Sequence, residues 1–246
     1  MATTTIAADT IAPTRDTRLQ PLRALGALRT LVRDPADTEQ VFHIMDALRG
    51  RTMQRNLEKL RRMRPDLLRR RDDVIALLSD REALAALPDG SLGRVYLAFC
   101  EREGITPEGL VEASTAAGRR EADGTLSWFE RRGRDTHDLW HVITGYGTQP
   151  LGEVCVVAFS FAQSGHLGFA AIALAGTLKH ARHIGLHRSF APTLEAVRNG
   201  RRAAWFYGQD WAALLAEPLD EVRELLGVRR PEAYEASVAH LEVIAA

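Results

Sequence analysis

The stretch HDLWHVITGYGTQPLGE, residues 137–153, decides the local fold and the chemistry expected of this chain. It starts as a helix, and because His137 and His141 are four positions apart, they project from one face of that helix. The GYG segment that follows is poor helix material, so the helix should end near Thr144, and Pro150 favours the first turn of a second helix. The stretch therefore predicts a helical hairpin.

The predicted hairpin brings a carboxylate to the two histidines. With Gly147 as its midpoint, His141 lies six residues before and Glu153 six residues after, so antiparallel packing sets these side chains opposite one another. Asp138 shares the first helix and can reach the same ion. Imidazole and carboxylate ligands suit zinc, and they suit iron(II) equally in a two-histidine, one-carboxylate site. We predict a divalent metal, zinc first and iron(II) or another transition metal otherwise, bound by His137, Asp138, His141 and Glu153.

Other interpretations of these residues stay open. A His-Asp pair is often only a surface ion pair or a helix cap. A metallopeptidase would need a glutamate directly after the first histidine, where Asp138 stands. A phosphohydrolase would need further histidine and aspartate ligands, which the sequence does not assign. A second group, His180, His183 and His187, is interpreted as a basic helix end before Gly185.

Composition places the chain among ordinary globular proteins. Its 246 residues are 46% apolar and 26% charged, which fits one soluble domain. The 32 basic and 32 acidic residues cancel, and no stretch interleaves aromatic with basic residues, so we expect no nucleic acid partner. Cys100 and Cys155 both lie in apolar surroundings. We therefore expect them to be small buried hydrophobic residues of a protein in the reducing cytoplasm.

Helical periodicity runs through most of the chain, without sustained strand-like alternation. Leucines from Leu19 onward predict an amphipathic helix that packs on the core or, alternatively, on a membrane surface. Asp37–Leu48 predicts a second helix. The charged segment from Arg49 to Asp73, divided by Pro65, is interpreted as a solvated face or, alternatively, as a contact with an anionic membrane.

Further caps and turns complete this pattern. Ser91 should cap a helix that ends at Gly104, Thr106-Pro107-Glu108 should start another, and ADGT at 122–125 should be a turn. We therefore predict an all-α fold, with a disordered tail over residues 1–16 and a single multi-helix domain over residues 17–246.

The segment Val154–Leu178 contains 25 residues without a formal charge, which is long enough to span a bilayer. Polar and glycine residues interrupt it between Gln163 and His166. Two buried helices with a break near Ser164 are therefore the preferred interpretation.

The spacing HD-x-x-H, eleven residues, then E, resembles the signature of the COQ-four family of ubiquinone biosynthesis proteins. Similar blocks extend from about Leu19 to Val228, and they are LPDGSLGRVYLAF, RRGRDTHDLWHVITGYGTQPLGE, NGRRAAW and PLDEVRELLGV. The resemblance implies an all-helical protein with a metal at the four positions named above. It further implies action on polyprenylated aromatic lipids at a membrane surface, beside other ubiquinone biosynthesis enzymes, in a homo-oligomer.

The same resemblance implies an activity and a location. The activity is oxidative decarboxylation, in which the ring carboxylate is replaced by hydroxyl; the alternative is a non-catalytic scaffold that binds prenyl lipids and holds a structural metal. The location is cytoplasmic, peripheral at the inner face of a bacterial membrane, or the mitochondrial inner membrane in a eukaryote.

A metal with an open position could bind the substrate carboxylate and a ring oxygen. Arg134, or its neighbours Arg131 and Arg132, could pair with the carboxylate, although solvent-exposed charge at a helix end explains them equally well. The small-residue face of Val154–Leu178 could line an apolar channel for the isoprenoid tail, with a plain buried core as the alternative.

Overall fold

The computed structural model describes residues 18–119 and 124–245, and within these ranges no β-strand forms. One isolated antiparallel bridge joins Ser91 and Pro218. The all-α prediction is therefore confirmed. The helices are α1 Pro21–Arg33, α2 Glu39–Ala47, α3 Thr52–Met63, α4 Pro65–Arg70, α5 Val74–Ser79, α6 Arg81–Ala86, α7 Leu92–Glu103, α8 Gly109–Ala116, α9 Thr125–Asp135, α10 His137–Thr144, α11 Pro150–Ser164, α12 Leu167–Arg202, α13 Trp211–Leu214, α14 Leu219–Leu225 and α15 Glu232–Ala245. The predicted tail, 1–16, and the first half of the predicted ADGT turn lie outside the described residues.

Several helix ends follow from local chemistry. The Ser91 side chain accepts a hydrogen bond from the Arg94 N–H and caps α7, as predicted. Pro65 occupies the first position of α4 and separates it from α3, also as predicted. Helix α8 starts later than predicted, because the Gly109 N–H donates to the carbonyl of Thr106 and closes a tight turn first.

The core forms around α10 and α11. Trp140 is buried and makes edge-to-face contacts with Phe159, Phe206 and Tyr207 at centroid distances of 6.0, 5.2 and 5.5 Å. Aromatic pairs in this arrangement stabilise a core beyond the area that they bury. Trp140 is thus a packing residue, which agrees with its position on the face of α10 that points away from solvent.

The break predicted near Ser164 is confirmed, because α11 ends there and α12 begins at Leu167. The prediction of two buried helices is right for α11 and wrong for α12. Leu167, Leu174 and Leu178 of α12 are each about half exposed, at 47%, 53% and 47%. Only one face of α12 packs against α11 here, and the exposed part of the helix carries these leucines. Among the described residues, no helix combines the length and the hydropathy that crossing a membrane requires.

Helix α12 folds back on itself at Gly185, whose φ of 81° and ψ of 161° interrupt the helical conformation. The Oγ1 atoms of Thr177 and Thr193 are 2.8 Å apart. A straight helix would separate these residues by about 24 Å. The arms 167–184 and 186–202 are therefore antiparallel, and the predicted helix end before Gly185 is real.

Candidate metal centre

The two histidines of the motif lie one turn apart at the start of α10. Helix α9 ends at Asp135, and the hydroxyl of Thr136 donates to the carbonyl of Arg132 at 2.9 Å, which links the two helices. The rings of His137 and His141 have a centroid distance of 4.8 Å. The spacing argument therefore places both imidazoles on one face, as predicted.

Glu153 in the first turn of α11 completes the cluster. Its Oε1 lies 3.3 Å from His141 Nε2, and its Oε2 lies 3.8 Å from His137 Nε2. One ligand atom from each of the three residues can be chosen so that all lie within 4.8 Å of one another. A single cation between them could bind all three side chains.

The ring of His141 is oriented for metal binding. Its Nδ1 lies 3.0 Å from the carbonyl oxygen of Tyr146. Because a carbonyl only accepts, Nδ1 carries the proton and Nε2 presents a lone pair to Glu153. This Nε2 is buried and forms no hydrogen bond with any described residue. A lone pair that faces a carboxylate at 3.3 Å needs a proton or a metal cation between the two groups.

Asp138, the fourth predicted ligand, lies in a different position from the other three. The structure leaves it outside the group of three and places its Oδ1 3.2 Å from His137 Nδ1. In this position the carboxylate accepts a hydrogen bond from Nδ1–H, which leaves His137 Nε2 facing Glu153. Histidines that bind metals commonly donate their other ring N–H to a carboxylate or to a backbone carbonyl, and both histidines here do so.

The pKa values of the cluster show that it attracts positive charge. Burial lowers the pKa of His137, but Asp138 and Glu153 outweigh burial, so that its pKa lies above the ordinary value. Burial raises the pKa of Glu153, but its close approach to His141 and the charges of both histidines outweigh burial, so that its pKa lies below the ordinary value. The space between the rings and the carboxylate thus favours a proton or a metal ion.

Arg134, the predicted assisting arginine, lies beside this cluster. It lines a cavity together with His137 and Glu153. Its Nε donates to Oδ1 of Asp135 at 2.6 Å, and both side chains are largely buried. The Arg134 guanidinium is thus held in place by Asp135 at the edge of the site. The interpretation of Arg134 as a solvent-exposed charge is wrong.

The two neighbouring arginines have other surroundings. Arg132 is buried and donates to the backbone carbonyls of Tyr207 and Gln209. Burial lowers its pKa to about 10. Arg132 therefore ties α9 to the segment after α12. Arg131 lines a separate cavity beside Trp128.

Two cavities meet at the cluster, and His137 and Glu153 line both. The outer cavity has a volume of about 650 Å³ and the inner cavity a volume of about 180 Å³. Apolar walls of the outer cavity include Leu28, Leu31, Val154, Val157, Ile172 and Ala175. Walls of the inner cavity include Phe42, Met45, Trp140, Ser160, His166 and Phe169.

Sequence reasoning missed the polar groups of the inner cavity. Arg49 is buried and pairs with Glu130, and Arg119 pairs with Asp46 at 2.6 Å. The charged segment that starts at Arg49 was expected to face solvent or a membrane. These pairs join positions more than 70 residues apart, so that no local pattern could show them.

The histidines near the fold-back were interpreted as a basic helix end, and two of them also face the outer cavity. His180 and His183 line it. Burial lowers the pKa of His180, while the backbone of Pro150 acts in the opposite direction. His180 on α12 and Pro150 at the start of α11 line the same cavity, so that both helices contribute to its wall.

The fold and this cluster define an all-helical protein with a candidate metal centre of two histidines and one glutamate, open to an apolar cavity. Residues 21–232 match the model of the family described as "Coenzyme Q (ubiquinone) biosynthesis protein Coq4". The chain belongs to this family, which confirms the resemblance in the sequence.

Curated relatives carry the same family name. The zebrafish (Danio rerio) "Ubiquinone biosynthesis protein COQ4 homolog, mitochondrial" is 34% identical over 204 residues, which are 77% of this chain and 70% of that protein. The mouse (Mus musculus) homolog is 33% identical over 67% of this chain and 60% of its own length. The COQ4 protein of Scheffersomyces stipitis is 28% identical over 67% of this chain and 50% of its own length. The matched region is thus between half and 70% of these relatives.

A solved structure shares the fold. A protein from Nostoc punctiforme, described as a candidate ubiquinone biosynthesis protein, superposes with a TM-score of 0.61. The superposition covers 86% of this chain and all of that chain, at 23% sequence identity. The helical architecture is therefore known from crystallography.

Proposed function

We propose that this protein acts in ubiquinone biosynthesis by metal-dependent oxidative decarboxylation of a polyprenylated hydroxybenzoate-type ring. One observation supports the metal site: the Nε2 atoms of His137 and His141 face the carboxylate of Glu153. Their Nδ1 atoms are occupied by Asp138 and by a backbone carbonyl. Zinc or iron(II) fits this donor set. Membership in the family supports the pathway.

The reaction removes carbon dioxide from the ring and attaches hydroxyl at the same carbon; with water as the source of the hydroxyl oxygen, it releases two electrons and two protons. An external two-electron acceptor is therefore required. A metal bound at His137, His141 and Glu153 would polarise the carboxylate and the adjacent ring oxygen. Three protein ligands leave a coordination position for a substrate, whereas structural zinc sites usually have four protein ligands.

The surrounding side chains would position the substrate. Arg134, held by Asp135 and lining the same cavity as His137 and Glu153, would pair with the ring carboxylate. The outer cavity would hold the isoprenoid tail, since its walls are largely aliphatic. A membrane-dissolved substrate implies peripheral attachment at the inner face of a bacterial membrane, or at the mitochondrial inner membrane in a eukaryote. Other ubiquinone biosynthesis enzymes and further copies of this chain are the proposed protein partners.

A non-catalytic scaffold is the second candidate, and the contact between His141 and the Tyr146 carbonyl favours it. Through this contact the cluster ties α10 to the loop that leads into α11. A metal there would hold this loop and the two helices together. In this case the protein would bind prenyl lipids and organise the pathway, with a structural metal.

Metal analysis combined with two variants separates these candidates. We expect about one equivalent of metal in the protein, and its loss in His141→Ala. Glu153→Gln keeps the size of the side chain and removes its charge, whereas Glu217→Gln changes an exposed carboxylate and serves as the control. If Glu153→Gln abolishes turnover of prenylated hydroxybenzoate while the melting temperature is retained, the site is catalytic. Loss of both stability and lipid binding supports the scaffold. Protein that contains no metal after purification under metal-replete conditions contradicts both candidates.

A further inference from the structure

His166 is a buried histidine with one ring nitrogen left over. Only 2% of the residue is exposed. Its Nδ1 accepts a hydrogen bond from the Gly168 N–H at 3.0 Å and thereby caps α12. Burial, followed by the charges of Arg49 and Arg119, lowers the pKa of His166 to about 4, so the ring is neutral at physiological pH. A neutral ring that accepts at Nδ1 carries its proton at Nε2.

This Nε2–H has no hydrogen-bond partner among the described residues, and the ring lines the inner cavity. Ser160, which is 3% exposed, lines the same cavity, and its hydroxyl also has no partner within the described chain. Neither atom is fully enclosed by protein, so both are accessible from the cavity. Buried polar groups are normally hydrogen-bonded, and these two can form their bonds with a molecule inside the cavity.

The size and the walls of the inner cavity restrict that molecule. Its volume of about 180 Å³ is close to the roughly 150 Å³ of a protein cavity that holds one benzene ring. Its walls include the aromatic rings of Phe42, Trp140 and Phe169 and the thioether of Met45, which favour contact with a flat ring. Because His137 and Glu153 line the same cavity, a ring bound there would lie beside the candidate metal centre.

We propose that the inner cavity is the binding site of an oxygen-bearing aromatic ring, whose oxygen accepts a hydrogen bond from Nε2–H of His166. This inference rests on the proposed function and assigns the ring and the tail of the substrate to different cavities. The hydroxyl of Ser160 can donate to or accept from a second ring substituent. His166 is thus a specificity-determining residue that the metal motif does not contain.

Two variants of His166 separate its cap from its donor. His166→Asn keeps a side-chain oxygen near the position of Nδ1 and so keeps the cap, but it removes the donor at the position of Nε2. His166→Gln reaches the position of Nε2 with an amide N–H, but it weakens the cap. We expect His166→Asn to keep the stability of the protein but to weaken ligand binding. We expect His166→Gln to lower the stability but to keep ligand binding. His183→Asn is the matched control, because His183 lines only the outer cavity of the two and is exposed.

Phenol and toluene, which have nearly the same size, are the probes, and their binding to the full chain is measured by NMR titration. We expect His166→Asn to weaken phenol binding about tenfold, the value of one buried hydrogen bond, and to leave toluene binding unchanged. Unchanged phenol binding, equal losses for both probes, or no binding of phenol to the wild-type protein would overturn the proposal. Because phenol binding needs no turnover, a failure of this inference differs from a failure of the proposed reaction. If only the proposed reaction fails, His166→Asn should still weaken phenol binding and leave toluene binding unchanged, while no prenylated hydroxybenzoate is converted.

Discussion

His137 and His141 present the same nitrogen to one carboxylate because each has its other nitrogen occupied. For His137 the partner is Asp138, which supports the ring without joining the group of three. A residue in this role affects metal binding only through the orientation and basicity of its histidine. A direct ligand contributes a bond to the metal. The two roles therefore predict losses of different size.

Replacement of Asp138 by Ala should lower metal affinity by about 10- to 100-fold, and saturating metal should still give full occupancy. Competition with a chelator of known affinity measures this change. Asp220→Ala is the control, because the Asp220 side chain is 95% exposed and pairs with Arg223. A variant that cannot be filled at any metal concentration would show instead that Asp138 is a direct ligand.

The raised pKa of His137 predicts a pH dependence of opposite sign with and without metal. In the metal-free protein, protonated His137 pairs with Asp138 and Glu153. Because its pKa in the folded state is raised, this stabilisation is complete below the ordinary value of 6.5 and is lost as the pH rises through the folded pKa. Metal binding requires the neutral ring and therefore strengthens over the same range.

The difference in melting temperature between metal-loaded and metal-free protein should therefore grow from pH 6 to pH 8. Differential scanning calorimetry at several pH values, with and without added zinc, measures this difference. His137→Asn should flatten the pH dependence. A difference that shrinks with rising pH would contradict the assignment of His137 as a metal ligand.

At the residue scale, the sequence motif predicts the identities of the three clustered side chains, because helical spacing and a short loop determine which residues face each other. It does not predict the role of Asp138. Whether a carboxylate reaches a metal or the neighbouring ring depends on side-chain rotamers, which spacing does not determine. The motif also omits His166, whose importance depends on which groups around it lack partners.

At the scale of helices, prolines, serines and glycines marked several boundaries correctly, because they act on the backbone within a few residues. Pro65, Ser91 and Pro150 all stand at helix starts that their chemistry favours. The exposed side of α12 was not predicted. Its small and apolar residues gave no polar face, and only the packing of α11 shows which side remains uncovered.

The packing of α12 against α11 depends on close backbone approach at Gly200. A Cβ atom there would lie 2.8 Å from Ala162 Cβ and 2.9 Å from the Phe159 carbonyl oxygen, neither of which can move away easily. We expect Gly200→Ala to destabilise the protein by about 1–3 kcal/mol, the usual cost of overpacking a core. Gly26→Ala is the matched control, because, apart from its neighbours and the backbone of α1 itself, no atom of the described residues lies within 4 Å of its Cβ position.

Since alanine favours helices over glycine by about 1 kcal/mol, Gly26→Ala should be neutral or stabilising. Chemical denaturation of the two variants beside the wild type measures both effects. Equal stability of Gly200→Ala and wild type would mean that these two helices can separate without loss.

At the scale of the whole molecule, the cavities could not be foreseen from the sequence. The outer cavity lies between α1, α11 and α12, and Leu28 and Ile172 on its walls are more than 140 positions apart. Its shape depends on how helices pack across the chain, which local patterns do not contain. The expectation that Val154–Leu178 lines an apolar space agrees with Val154, Val157 and Ala175 on the wall. That this space holds a lipid tail stays a prediction.

The tail hypothesis can be tested by filling the outer cavity from one residue. Ala175 lines this cavity, whereas its neighbour Leu174 is 53% exposed and does not line it. Ala175→Phe should displace two or three methylene groups of a bound tail, at about 0.8 kcal/mol each, and so weaken binding of a long-tailed prenyl hydroxybenzoate about thirtyfold. A hydroxybenzoate without a tail should bind unchanged, because the inner cavity is untouched. Native mass spectrometry over a series of tail lengths measures both affinities. Leu174→Phe should change neither affinity. Equal losses in Ala175→Phe and Leu174→Phe, or no loss in Ala175→Phe, would place the tail elsewhere on the molecule.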